Sequence, residues 1–327
     1  MASSSQQPVT LRTDDSGPSD PEIEQLKQQV QEGQLADFRA YLSLTRASGD
    51  WQDRLHVLPR VAPNVSIDGL DAACSAEPEA ADLFVIRCAY YSELAKTMRG
   101  TGTSDQVSGA RFQNSAECIK AAMADLARST QLDDQDPTAY TLILRPLTIF
   151  SQTELQQKAF AKATTIAPDL VPAHFGLIPA LSKRWGGSHE ASLSFARQAM
   201  TKSSPGSDMA ACLFLAHTLV RTHFVHFDKD VQSAKRYALK PEIGSELNAA
   251  LDNWLTPSFI ARRSSIPFLR TASEWYRAVM DVERLNRVIA FTKEELKLPP
   301  VAGTLPQRTN YSSKGGSGLL SWILGRK

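Results

Sequence analysis

The stretch from Pro137 to Pro168 constrains this chain more than any other. Tyr140, Ile143, Leu147, Phe160, Ala163 and Pro168 fall at offsets that suit two antiparallel helices closing on each other. Pro137 opens the first helix, because its fixed φ and missing N–H fit the first helical turn. Pro168 stands just after the second, where it cannot continue a helix. A helical hairpin of this size cannot bury its apolar face alone and must lean on copies of itself. Counting back about 34 residues from Pro168, a spacing common in helical repeats, lands on Asp134, preceded by the small-large-small set Ala122, Leu126 and Ser129. One unit forward, Ala191, Phe195 and Ala199 recur, and Pro205 closes the segment.

That period, with its small and aromatic face and terminal proline, resembles the tetratricopeptide repeat (TPR) from roughly Ala110 to Pro205. The Trp185-Gly186-Gly187 interruption is similar to divergent TPR-like domains of bacterial proteins. Tyr140, Ile143 and Leu147 occupy the bulky and apolar positions of the family's helix A, and Phe160, Ala163 and Pro168 those of its helix B. Gln156 departs from the expected small residue and Leu144 from the usual glycine, which predicts a splayed helix pair. The resemblance implies an all-α, TPR-like α-solenoid of antiparallel helix pairs with helical caps at both ends, and a role in interaction with no catalysis. It also implies that helix A lines a concave face. The positions carried over are Thr141, Arg145 and Thr148, then Phe175, Ser182 and Lys183. Arg145 offers a planar fork and Lys183 a point charge, so the pair suits an acidic peptide or a C-terminal carboxylate. Pro146 and Pro179 fall inside these helices and each removes a backbone hydrogen bond, so the groove is expected to depart from the family's geometry.

Around this centre the chain divides into four parts. Residues 1–19 are rich in Ser, Gln, Asp and Pro and are expected to stay disordered. Residues 20–78 read as an N-terminal helical bundle: Asp20 caps a helix that Pro21 begins, and Asp50 and Ser66 cap two more. Residues 79–298 form the repeat domain, with Phe268–Met280 and Val282–Leu298 as its closing helices and a basic loop around Arg262 and Arg263 before them. Residues 299–327 form a linker and a short apolar tail, in which Trp322 is expected to meet a partner, a lipid surface or the protein itself.

The 36 basic and 35 acidic side chains leave a net charge of +1, which offers no reason to expect nucleic acid. No stretch approaches the roughly 20 apolar residues of a membrane span, and the N-terminus has no secretory pattern, so a cytoplasmic protein is expected. Cys74, Cys88, Cys118 and Cys212 lie apart in apolar patterns and read as free thiols. The glycine-rich loop from Gly100 to Gly109 lacks a phosphate-loop lysine and joins two helices, so no nucleotide and no other cofactor is expected. The strongest chemical cluster is His217, His223 and His226, with Asp228 and Asp230 beyond. His223 and His226 share a helical face, and an alternative reading makes them ligands of a metal-dependent enzyme.

Overall fold

The computed structural model describes residues 20–100 and 107–292. Among them there are fifteen α-helices and no strand. Helices α1 (Pro21–Gln31), α2 (Ala36–Ser48), α3 (Trp51–Val61) and α4 (Ile67–Ala76) form the N-terminal group. Then come α5 (Ala81–Arg99), α6 (Gly109–Leu132), α7 (Thr138–Ile149), α8 (Thr153–Ile166), α9 (Val171–Leu181) and α10 (His189–Thr201). Next are α11 (Ala211–His226), α12 (Val231–Ala238), α13 (Pro241–Trp254), α14 (Ile266–Val279) and α15 (Val282–Ala290). The expected disorder of residues 1–19, the end of the last helix, the linker and the Trp322 tail lie outside the described residues, as does most of the glycine-rich loop.

Local chemistry sets most helix starts. The Asp20 carboxylate accepts from the backbone N–H of Glu22 (3.0 Å) and Ile23 (3.3 Å), relieving two of the donors that open α1. Asp50, Ser66, Ser108, Ser188, Asp230 and Asp281 do the same for later helices. The Trp-Gly-Gly interruption makes a tight turn: Lys183–Trp185 form a single 3-10 turn, Gly186 adopts a φ of +89°, and the Gly187 N–H returns to Ser182 O at 3.1 Å. A Cβ on Gly187 would meet Leu181 O at 2.1 Å, so no other residue fits there.

Packing follows a regular series. Consecutive helices α5 and α6, α7 and α8, and α9 and α10 pack together, while α5, α7, α9, α11 and α14 each touch the next in a continuous row. Leu144 and Gly176 show how the row fits: a Cβ on Gly176 would sit 3.0 Å from Leu144 Cβ, so the large residue on α7 uses the space that glycine leaves on α9. Gln156, fully enclosed on α8, donates from Nε2 to Leu144 O on α7 at 2.8 Å, joining the two helices where the sequence predicts a splay. Phe160 of α8 and Phe195 of α10 meet ring to ring at 5.4 Å, with His174 of α9 against both. The largest core lies under α11, α13 and α14, where Trp254, Phe214 and Tyr276 are essentially inaccessible.

The N-terminal group does more than lead into the series. Helix α3 packs on α5, α7 and α9, and also on the turn Arg263–Ser265 before α14. Arg263, expected in an open basic loop, donates both Nε and Nη2 to Asp53 at 2.6 Å and reaches Asp20 and Glu22 with Nη1. Tyr41 donates its hydroxyl to the same Asp53 at 2.8 Å and lies beneath the Arg263 guanidinium. Residues 210 positions apart are thus clasped together.

Candidate functional site

A cluster of charge gathers between α3, α5, α7 and the turn after α9. Glu93 and Lys96 sit one turn apart on α5 and pair with each other; their side chains keep 23% and 22% of their exposure. Arg145 projects from the middle of α7, Arg60 from the last turn of α3, and Arg184 from the 3-10 turn. Burial pushes the Arg145 guanidinium down to about 10, with Glu93 opposing the shift and Arg184 adding to it. Burial likewise lowers the Lys96 ammonium, against the pull of Glu93 and with the push of Arg145 and Arg60. Lys96 and Arg145 are thus desolvated while remaining partly accessible, and the charge gathered around Glu93 is mostly positive. Trp185 extends the surface: the guanidinium groups of Arg99 and Arg184 lie over its ring at 5.9 and 5.3 Å.

Of the residues expected on the concave face, Arg145 belongs to this cluster, and exposed Lys183 stands beside it in sequence with Arg184. The others turn inward. Thr141 donates its hydroxyl to Pro137 O at 2.9 Å, Thr148 to Leu144 O at 3.0 Å, and Ser182 to Pro179 O at 2.6 Å, each back onto its own helix. Phe175 is buried against Phe268, ring centroids 4.7 Å apart. All four are buried: Phe268 of α14 covers Phe175, and Gln156 of α8 reaches the Thr148 hydroxyl. Trp322 lies outside the described residues. Arg60, Glu93, Lys96 and Arg184 carry no local signal that separates them from ordinary surface charge; only the fold brings them together.

The histidine cluster does not assemble. His217 places Nδ1 at 2.7 Å from the Tyr237 hydroxyl and Nε2 at 3.0 Å from Glu246 Oε2, so both ring nitrogens are engaged. The His217 and Arg197 hydrogen bonds hold the Glu246 carboxyl down to about 2. His223, on another face of α11, stacks on Phe227 and meets His189 edge to face, both at 5.0 Å between centroids. Among the described residues no group of three His, Cys, Asp or Glu side chains is placed to hold a metal ion. The shared face of His223 and His226 therefore lacks the further ligands that a metal centre needs.

A concavity of about 350 Å³ opens between α2, the start of α5 and the α6–α7 connection. Its arginines are matched internally: Arg39 with Asp82 and Glu77, Arg46 with Asp133, and Arg54 with Asp136. Such a wall of closed ion pairs locks the N-terminal group in place. All four cysteines are free, and three are buried. No helix among the described residues is long and apolar enough to cross a membrane. Comparison of the chain with protein-family models, with curated proteins and with solved structures finds no match.

Proposed function

We propose that this protein is an interaction scaffold, a TPR-like stack of antiparallel helix pairs whose helix row α5, α7, α9, α11 and α14 receives an acidic segment of a partner protein. One observation carries the reading: Arg60, Lys96, Arg145 and Arg184 come from four separate elements close enough for their charges to act on one another around Glu93, where Lys96 and Arg145 are desolvated. Desolvated cations recognise carboxylates more strongly than surface charges do, and arginine forks add orientation. The pairing of α5 with α6, α7 with α8 and α9 with α10, and the contact between Phe160 and Phe195, support the repeat assignment. A cytoplasmic location fits the same reading, supported by the four unpaired thiols. No reaction is assigned.

The test is crosslinked co-purification from native cells of the wild type and of the double substitution Lys96→Gln with Arg145→Gln, with thermal unfolding as the fold control. The expected result is a set of crosslinks from acidic partner segments to α5 and α7 that weakens with salt and is lost in the variant. Partners retained unchanged by a folded variant would remove this cluster as the binding surface.

A further inference from the structure

The last turns of α11 and the 3-10 turn after α9 enclose a notch lined by Lys183, Arg184, His189, Thr222, His223 and Phe227. Its closed part, about 10 Å³, takes about one water centre, within some 250 Å³ of empty space that opens to solvent. His223 is only 8% exposed, and its Nδ1 is buried with no hydrogen-bond partner; the Nδ1 of His189 is in the same state. Buried polar atoms without partners cost stability and usually mark a site that something else fills. Among the described residues, the groups facing this pair are cationic on the turn, Lys183 and Arg184, and anionic at Asp228, whose Oδ1 lies 3.5 Å from His223 Nε2. With the Nε2–H of His223 turned to Asp228, its Nδ1 carries a proton only when the ring becomes an imidazolium. Desolvation, and then the neighbouring positive charge at His189, keep both imidazoles neutral more readily than usual.

We infer that this notch is a binding site for a doubly charged oxyanion of the phosphate class, gripped by Lys183 and by His189 and His223 in their protonated forms. These three cations, with Arg184 also on the lining and only the Asp228 carboxylate set against them, leave the notch net positive, which suits a dianion better than a monoanion. A metal cation is disfavoured by the same field. One oxygen enters the closed part against the two imidazole Nδ1–H groups, and the remainder stays at the mouth beside Lys183. The inference goes beyond the scaffold reading and does not rest on it.

Sulfate is the suitable first probe because it remains a dianion across the range in which histidine titrates. Histidine-ring NMR and calorimetry on the full chain should show saturable sulfate binding at pH 5.5. Binding should weaken by about tenfold or more at pH 8, since each histidine raised by one pKa unit on binding couples affinity to protonation by about tenfold. Lys183→Gln, at an exposed position that leaves the fold intact, should weaken sulfate without moving the thermal midpoint, and His223→Gln should reduce the pH dependence, which the double substitution with His189→Gln should abolish. Inorganic phosphate and phenyl phosphate then distinguish a free ion from a phosphate monoester, and binding of either supports the site. No saturable binding at about 10 mM of any probe, or equal sulfate affinity at both pH values, would overturn it. The Lys96 and Arg145 substitutions should leave sulfate binding unchanged, which separates failure of this site from failure of the partner surface.

Discussion

Replacing Arg54 tests how the N-terminal group is held to the helix row. Arg54 is 2% exposed on α3; it donates from Nη2 to Asp136 at 2.9 Å, from Nε to the Thr138 hydroxyl at 3.0 Å, and from Nη1 to Leu42 O. Asp136 is 5% exposed and accepts the Thr138 N–H at 2.8 Å, fastening the start of α7. Arg54→Met keeps the volume and removes every one of the donors. It leaves a buried carboxylate, a carbonyl and a hydroxyl without them, which costs about 3–5 kcal/mol. At about 2–4 °C per kcal/mol for a chain of this size, the thermal midpoint should fall by roughly 6–20 °C. Adding Asp136→Asn removes the stranded charge and keeps an acceptor for Thr138 N–H, so the double variant should regain about 1–3 kcal/mol over the single. The control is Lys158→Ala, whose pair with Glu154 is 68% and 80% exposed; it should cost less than about 0.5 kcal/mol. Urea midpoints at unchanged slope, checked by thermal scans, measure all four proteins. An Arg54→Met variant within about 1 kcal/mol of wild type, or a double variant no better than the single, would refute the argument that desolvation makes this pair matter.

The clasp should behave as a local unit. Arg263→Gln is expected to cost about 1–3 kcal/mol, the worth of charged hydrogen bonds, and to raise amide exchange in α1 and α3 while α9 to α11 stay protected; unchanged exchange in α1 and α3 would count against it. Burial opposes ionisation of Asp53, but the Arg263 and Tyr41 hydrogen bonds outweigh it and its pKa is lowered. Its contribution is therefore present above the unfolded value of about 3.9 and lost as pH falls below that. His56 acts at higher pH. Burial, with Arg60 beside it, pushes its imidazole down to about 2, so the unfolded chain takes up a proton below about pH 6.5 that the folded chain refuses. Stability should fall from pH 6.5 towards 5 by up to about 1.4 kcal/mol per pH unit from this group, and His56→Gln should flatten the curve; identical slopes would refute the assignment. Burial raises the thiols of Cys88 and Cys212 far above the ordinary range and pushes Cys74 up to about 11. Iodoacetamide on the native protein should label half-buried Cys118 first and reach Cys88 and Cys212 only after unfolding, as peptide mass mapping will show.

Helix positions were legible because they depend on neighbours in the chain. Asp20, Asp50 and Ser66 announce their helices through backbone donors two or three residues away, and the three-to-four spacing of apolar residues marks each buried stripe. Thr141, Thr148, Phe175 and Ser182 looked like groove residues because a family pattern gives a position along a helix and says nothing of what later covers it. Here Phe268 of α14 closes over Phe175, and Gln156 of α8 over Thr148.

By itself, then, the amino-acid order determined where helices begin and end, which faces are apolar, and that the four cysteines stay unlinked, because these follow from local hydrogen bonding, periodicity and spacing. The tertiary structure alone decided that Arg263 closes on Asp53 from 210 positions away, that Arg60, Lys96, Arg145 and Arg184 gather around Glu93, and that His217 and His223 part company. Charges and imidazoles acquire their character from desolvation and from partners brought in across space, and neither is encoded within a few residues of the side chain itself.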